Sequence, residues 1–265
     1  MRGWNGKPVK KRLWRGGGLP RDCDATDLDM EKMKPFPLDL PGYSIVYQRP
    51  QRFISFCDPG SPIKYRKCAI AIRHDGELVG LLDFVEFRLD PTVDNDDLWE
   101  WLDGYSAYYG ELAAMLAEQW DDVETDVAAY GPIVLFDNVW MRADHAKDGM
   151  WRLVARKAFD KLFSKRSIAI FKPFPLEYEG TAELAPIGYK RRMAALRRVA
   201  SREENVYPMP EMPGLGTWLW SPRPDLREIL VENTRLARKL AFKLGRPVAI
   251  RWSWDANDRA LNDNW

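Results

Sequence analysis

The stretch Gly131–Glu177, GPIVLFDNVWMRADHAKDGMWRLVARKAFDKLFSKRSIAIFKPFPLE, constrains the fold more than any other part of the chain. Gly131–Met141 is apolar except for Asp137 and Asn138, as a central strand covered on both faces would be. Arg142–Gly149 is polar with one glycine and reads as a loop, with Asp148 placed to cap a helix. In Met150–Phe163, the residues Trp151, Val154, Ala158 and Leu162 recur at helical spacing, while Arg152, Arg156, Lys157 and Lys161 face away. Arg166–Phe171 is a second buried strand, ended by Pro173 and Pro175. A strand, loop and helix in this order aim backbone N–H groups and a helix N-terminus at one spot, which suits an anionic ligand.

The segments before this unit read as strands and then helices. Tyr43–Cys57 has strand composition but contains Pro50, so it is an edge strand or two short pieces. Lys67–His74 and Glu77–Leu89 flank Asp75-Gly76, a hairpin signal. Asp94–Trp120 is helical, with Tyr108, Leu112, Met115 and Leu116 forming an apolar stripe. After the unit, Thr181–Glu204 reads as a helix, Gly216–Ser221 as a short strand, Asp225–Leu244 as a long helix and Val248–Trp254 as a last strand. Residues 1–40, rich in Gly, Pro and charge, read as an irregular basic arm; 41–222 form the main domain, and 223–265 a C-terminal helix and tail packed on it.

Composition narrows the function classes. At 265 residues with 46% hydrophobic and 30% charged residues, a soluble globular protein with a sizeable core is expected. No window reaches ~18 apolar residues, so no membrane span is expected. The basic start lacks the apolar region of a signal peptide. Cys23, Cys57 and Cys68 have no paired spacing, which suggests reduced thiols and a cytoplasmic location. Only His74 and His145 are present, so no metal is expected. The net charge of +1 conceals blocks: Asp90–Asp126 has twelve acids and no base, and Tyr189–Arg202 has six bases and no acid. The second block, Lys190–Arg202, could contact nucleic acid.

The order hairpin, acidic helical segment, strand–loop–helix–strand, helix, strand, from Tyr43 to Ser221, resembles the GNAT-type N-acyltransferases. The ending FKPFPLE is similar to one found in some bacterial and phage GNAT-like proteins. The resemblance implies an α+β (α/β-like) fold, a mixed twisted sheet with helices on both faces. It implies acetyl-CoA as cofactor, with its pantetheine in a gap beside the central strand and its pyrophosphate on the loop after it. The family's Q/R-x-x-G-x-G/A signature falls on Ala146-Lys147-Asp148-Gly149-Met150-Trp151, where Gly149 matches and Ala146 and Trp151 differ. Cofactor contacts are thereby implied at Val139, Met141, Lys147, Asp148, Gly149, Met150, Trp151 and Arg152. A base and an acid are needed for acyl transfer to a small-molecule or protein amine. The candidates are Asp137, Tyr189 and His145. The alternative is an inactive GNAT-like binding protein with a protein or nucleic-acid partner, in which Trp151 fills the pyrophosphate site.

Overall fold

The computed structural model describes residues 33–142, 144–145, 149–172, 206–209, 218–235, 237 and 239. Among these residues, nine strands form one sheet: β1 (Lys34–Pro35), β2 (Tyr43–Gln48), β3 (Ile54–Ser55), β4 (Ile63–His74), β5 (Glu77–Leu89), β6 (Ile133–Met141), β7 (Ile168–Phe171), β8 (Tyr207–Pro208) and β9 (Leu219–Pro222). Their spatial order is β1-β2-β4-β5-β6-β7-β9-β8, with β3 beside β4. Of these strands, β6 and β7 run parallel and every other described pair is antiparallel. The helices are α1 (Asn95–Asp103), α2 (Ala107–Gln119), α3 (Val123–Asp126), α4 (Met150–Lys161) and α5 (Arg227–Glu232). The fold is α+β, with helices on both faces of the sheet.

The β4–β5 hairpin turns at Asp75 and Gly76, both at positive φ (51° and 79°), as a tight two-residue turn requires. β5 spans Glu77–Leu89 as the hairpin signal predicts, and β4 starts earlier than expected, at Ile63. Side-chain alternation then builds two cores. On one face Tyr65, Val85, Phe87, Leu135 and Ile170 meet α1, α2 and α5. On the other, Ile70, Leu82, Phe84 and Val134 meet Val154, Ala155 and Ala158 of α4. Parallel strands need a crossover, and α4 supplies it between β6 and β7.

Local chemistry sets the boundaries. Asp94 caps α1 by accepting from the Asp97 amide at 2.8 Å, and Ser106 caps α2 through Tyr109 at 3.3 Å. Gly131, at φ 145°, begins the approach to β6; a Cβ there would overlap the Lys165 carbonyl oxygen. Arg166 closes α4 by donating to the carbonyls of Phe159 (3.0 Å) and Phe163 (3.2 Å). Burial draws its guanidinium down to about 10.

Several segments differ from their sequence reading. The N-terminal segment expected to be irregular supplies β1, where Lys34 and Pro35 pair with Tyr47 and Val46, and Phe36 is buried. Proline is compatible with this because β1 is an edge. Tyr207–Pro208, which falls between the expected helix and strand, pairs with β9 at the other edge. The single helix expected from Asp225 opens with a 3₁₀ turn at Pro224–Leu226, and α5 stops at Glu232. Thr234 then accepts from the Ala237 amide at 3.2 Å and starts a new helical segment. The helix expected over Thr181–Glu204 and the strand over Val248–Trp254 lie outside the described residues.

Glu86 is the main polar group of the α4 face, at 1% exposure. Arg49 and Arg66 each grip it with two bonds, Nε to Oε1 at 2.7 Å and Nη2 to Oε2 at 2.8 Å. Burial alone would raise the Glu86 carboxyl, but the two guanidinium groups outweigh it and lower it below its ordinary value. Next to this triad, burial pushes the Cys68 thiol far up, so it is an inert core residue.

Candidate active site

The chemistry concentrates where β6 changes partners. Its ladder with β7 ends at Phe136↔Phe171, and among the described residues Asp137–Met141 pair with β5 alone. At the same point the β5–β6 register shifts: Asp83 faces Asn138 and Phe84 faces Phe136, so Asp137 is the extra residue of a bulge. The bulge leaves Asp83 on β5 and Asp137 on β6 as neighbours. Both are half-buried on the face covered by α2.

Neither carboxyl has its ordinary proton affinity. Burial, and after it the Asp137 charge, raise Asp83 to about 7 against the lowering influence of Lys67. Burial raises Asp137 to about 6, against the lowering influence of Lys67 and of the Asn138 amide, which donates to it at 3.2 Å. Two interacting carboxyls titrate as a pair, so the two transitions belong to the pair together. Tyr108 and Tyr109 of α2 close the site. Burial and the Asp137 charge hold both phenols protonated well above their usual range.

A wall runs beside these residues. Tyr108 stacks on Trp218 with centroids 5.6 Å apart and planes 28° apart. Lys172, just past β7, forms an ion pair with Glu111 of α2, and its Nζ lies 5.4 Å from the Trp218 ring centroid. Trp218 is 2% exposed, and its indole N–H has no hydrogen-bond partner among the described residues.

Raised carboxyl pKa values mean that the folded chain holds more protons than the unfolded chain between about pH 4 and pH 7. Stability from Asp83 is therefore lost as pH rises through that window and stays lost above it. Asp83→Asn, which mimics the protonated acid, is expected to stabilise the fold relative to wild type at about pH 8 by ~1–3 kcal/mol. The gain should vanish near pH 4. Urea denaturation at the two pH values checks this, and an equal difference at both would contradict it.

The residues implied as cofactor contacts lie along β6 and at the start of α4. Val139 and Met141 lie on the β5-paired end of β6, and Met141 is buried with its side chain filling the space left by Gly80. Gly149 takes left-handed geometry (φ 65°, ψ 26°) at the N-terminus of α4, and no side chain of the described residues caps that end. The Arg152 side chain lies over Gly149, where a Cβ would meet its guanidinium. Met150 and Trp151 open α4, and the Trp151 ring packs toward the sheet, 6.2 Å from Phe136. Lys147, Asp148 and Tyr189 lie outside the described residues.

His145 stands apart from Asp137. It sits beyond β6 near the β4–β5 turn, and Asp83 to Glu77 along β5 spans about 20 Å. Its ring packs on His74 (4.9 Å) and Tyr43 (5.6 Å). Arg142 can only donate, so His145 Nε2 accepts from it and the ring proton rests on Nδ1, donated to Tyr43 Oη at 2.8 Å. The lone pair that a base would need is thus already engaged.

Asp83, Lys67, Tyr108, Tyr109 and Trp218 carry no sequence motif that marks them as site residues. A charge inside the apolar run LVGLLDFV is the one available signal for Asp83. Among the described residues, no helix is long and apolar enough to cross a membrane, and no three His, Cys, Asp or Glu side chains are grouped to hold a metal. Compared with protein-family models, curated proteins and solved structures, the chain matches none.

Proposed function

We propose that the protein is a GNAT-like N-acyltransferase that moves an acyl group from acetyl-CoA to an amine. The observation that carries the reading is the raised Asp83–Asp137 pair, set at a bulge where the parallel β6–β7 ladder ends. An amine acceptor is protonated at neutral pH and must lose a proton before it can attack. A carboxylate that ionises near 6 is a usable base there.

The remaining residues fit the cofactor. Gly149 takes left-handed geometry at the start of α4, and that N-terminus, uncapped by any described side chain, carries a partial positive charge that suits an anion. Arg152 brings a guanidinium to the same spot. Trp151 packs toward Phe136 and the core beneath α4, which supports the enzyme over the binding-protein reading. Acetyl-CoA, when bound, supplies the thioester. The edge of β6 around Val139 and Met141, beyond its ladder with β7, offers backbone groups to hold it and polarise its carbonyl. Asp137 takes the acceptor's proton, and Lys67 keeps the carboxylate pair from both turning neutral. Tyr108 and Tyr109 stay protonated beside Asp137, so their O–H groups remain donors and not anions.

The exposed carboxylates of α1 favour a cationic acceptor. The test is thiol release from acetyl-CoA with a panel of primary amines. Turnover of cationic amines above the background without protein is expected. Absence of turnover across the panel would leave the acyltransferase reading without support.

A further inference from the structure

Lys172 is the first residue past β7, and Asp137 is the first residue past the last β6–β7 pair, Phe136↔Phe171. Both stand where two parallel strands stop pairing, on neighbouring strands with a spacing of about 4.8 Å while paired. Ile168 and Ile170 face α2, and strand alternation puts Lys172 on the same face. Its Nζ accordingly reaches Glu111 of α2 and lies over the Trp218 ring, against which Tyr108 stacks. A carboxylate beside an aromatic wall is what a subsite for a primary ammonium must provide. Here the chain's own side chain fills it.

We infer that Lys172 is itself an acceptor, and that the protein acylates its own Lys172 Nζ from a bound acyl-CoA thioester. The inference rests on the acyltransferase reading above. The ammonium gives one proton to Asp137, which passes it to solvent. The Nζ lone pair forms the amide C–N bond to the acyl carbon, and the thioester C–S bond breaks. A second proton from nitrogen leaves with the sulfur as free thiol. The charge on Lys172 is lost, and Glu111 with the Tyr108–Trp218 wall is released to receive an external ammonium. The substrate class comes from the same geometry: a primary alkylamine of lysine type.

Lys67 is the other lysine on this face, but it belongs to β4, two strands from β6, and acts as the counter-charge to both aspartates. Lys172 alone among the described lysines adjoins the end of the β6–β7 ladder. Its side chain is 16% exposed, so simple surface chemistry should favour the exposed Lys161 and Lys165 instead.

The test incubates the full chain with acetyl-CoA and maps acetylated peptides by mass spectrometry over time, with n-butylamine added in a parallel sample. Lys172 should be labelled at least ~10-fold faster than Lys161 and Lys165, because it is held at the end of the β6–β7 ladder where the proposed thioester lies. Its rate constant should not change on dilution of the protein, and Asp137→Asn should slow it without slowing the two surface lysines. Labelling of Lys172 at the surface rate, a rate that falls on dilution, or indifference to Asp137→Asn would each overturn the inference. If n-butylamine is turned over while Lys172 stays unmodified, the inference fails and the acyltransferase reading stands. If neither is acylated and acetyl-CoA does not stabilise the fold, both fail.

Discussion

Asp137→Asn is expected to lower amine acylation by about 10²–10⁴-fold, the range for loss of a positioned general base. The substitution keeps size and removes only the ability to accept a proton. Acetyl-CoA affinity should be unchanged, because the proposed cofactor contacts lie on the edge of β6 and at Gly149. The wild-type rate should rise with pH through the Asp137 transition at about 6 and then level, and the variant should lack that limb. Unfolding is not a confounding explanation. Removing a half-buried charge whose pKa is raised by burial should make the variant more stable near neutral pH, as for Asp83→Asn. A variant that keeps wild-type turnover would show that the proton goes elsewhere.

Glu86→Ala should be the most destabilising change on the opposite face, at about 3–5 kcal/mol, because it leaves buried charge unpaired. Arg49 and Arg66 give it four charge-assisted bonds, and their side chains are only 24% and 13% exposed. Removing the carboxylate leaves two guanidinium groups facing each other with little water to separate them. Glu86→Gln keeps the volume and still removes the charge, so it should remain clearly destabilising. The pH dependence has the opposite sign to that of Asp83. The Glu86 pKa is lowered by folding, so its stabilisation is present above the unfolded carboxyl value and is lost as pH falls through the folded one. Urea denaturation at neutral and acid pH measures both effects. A cost below about 1 kcal/mol would mean that the triad is as weak as a surface pair.

The parts of the fold legible in the sequence are those with local signals. Asp75-Gly76 marks the hairpin because only a tight turn needs two positive φ angles. The β6–α4–β7 unit is legible because its apolar pattern changes period at a glycine. The edge strands β1 and β8 are not, since each is two residues long and contains proline, a composition that reads as loop. Asp137 can be found as a carboxylate in an apolar strand, but its partner Asp83 depends on a register shift between distant segments. Tyr108 reads as one member of a helical stripe; only the packed structure sets it against Trp218 and Asp137. His145 reads as a base by residue type, whereas its neighbours Arg142 and Tyr43 decide which nitrogen holds the proton.

An acyl-CoA site between the edge of β6 and the N-terminus of α4 is tested most directly by the unfolding free energy with and without acetyl-CoA. At ~100 times its Kd, the cofactor should add about 2.7 kcal/mol of stability. Asp137→Asn should show the same gain. No stabilisation at millimolar acetyl-CoA would contradict the existence of that site.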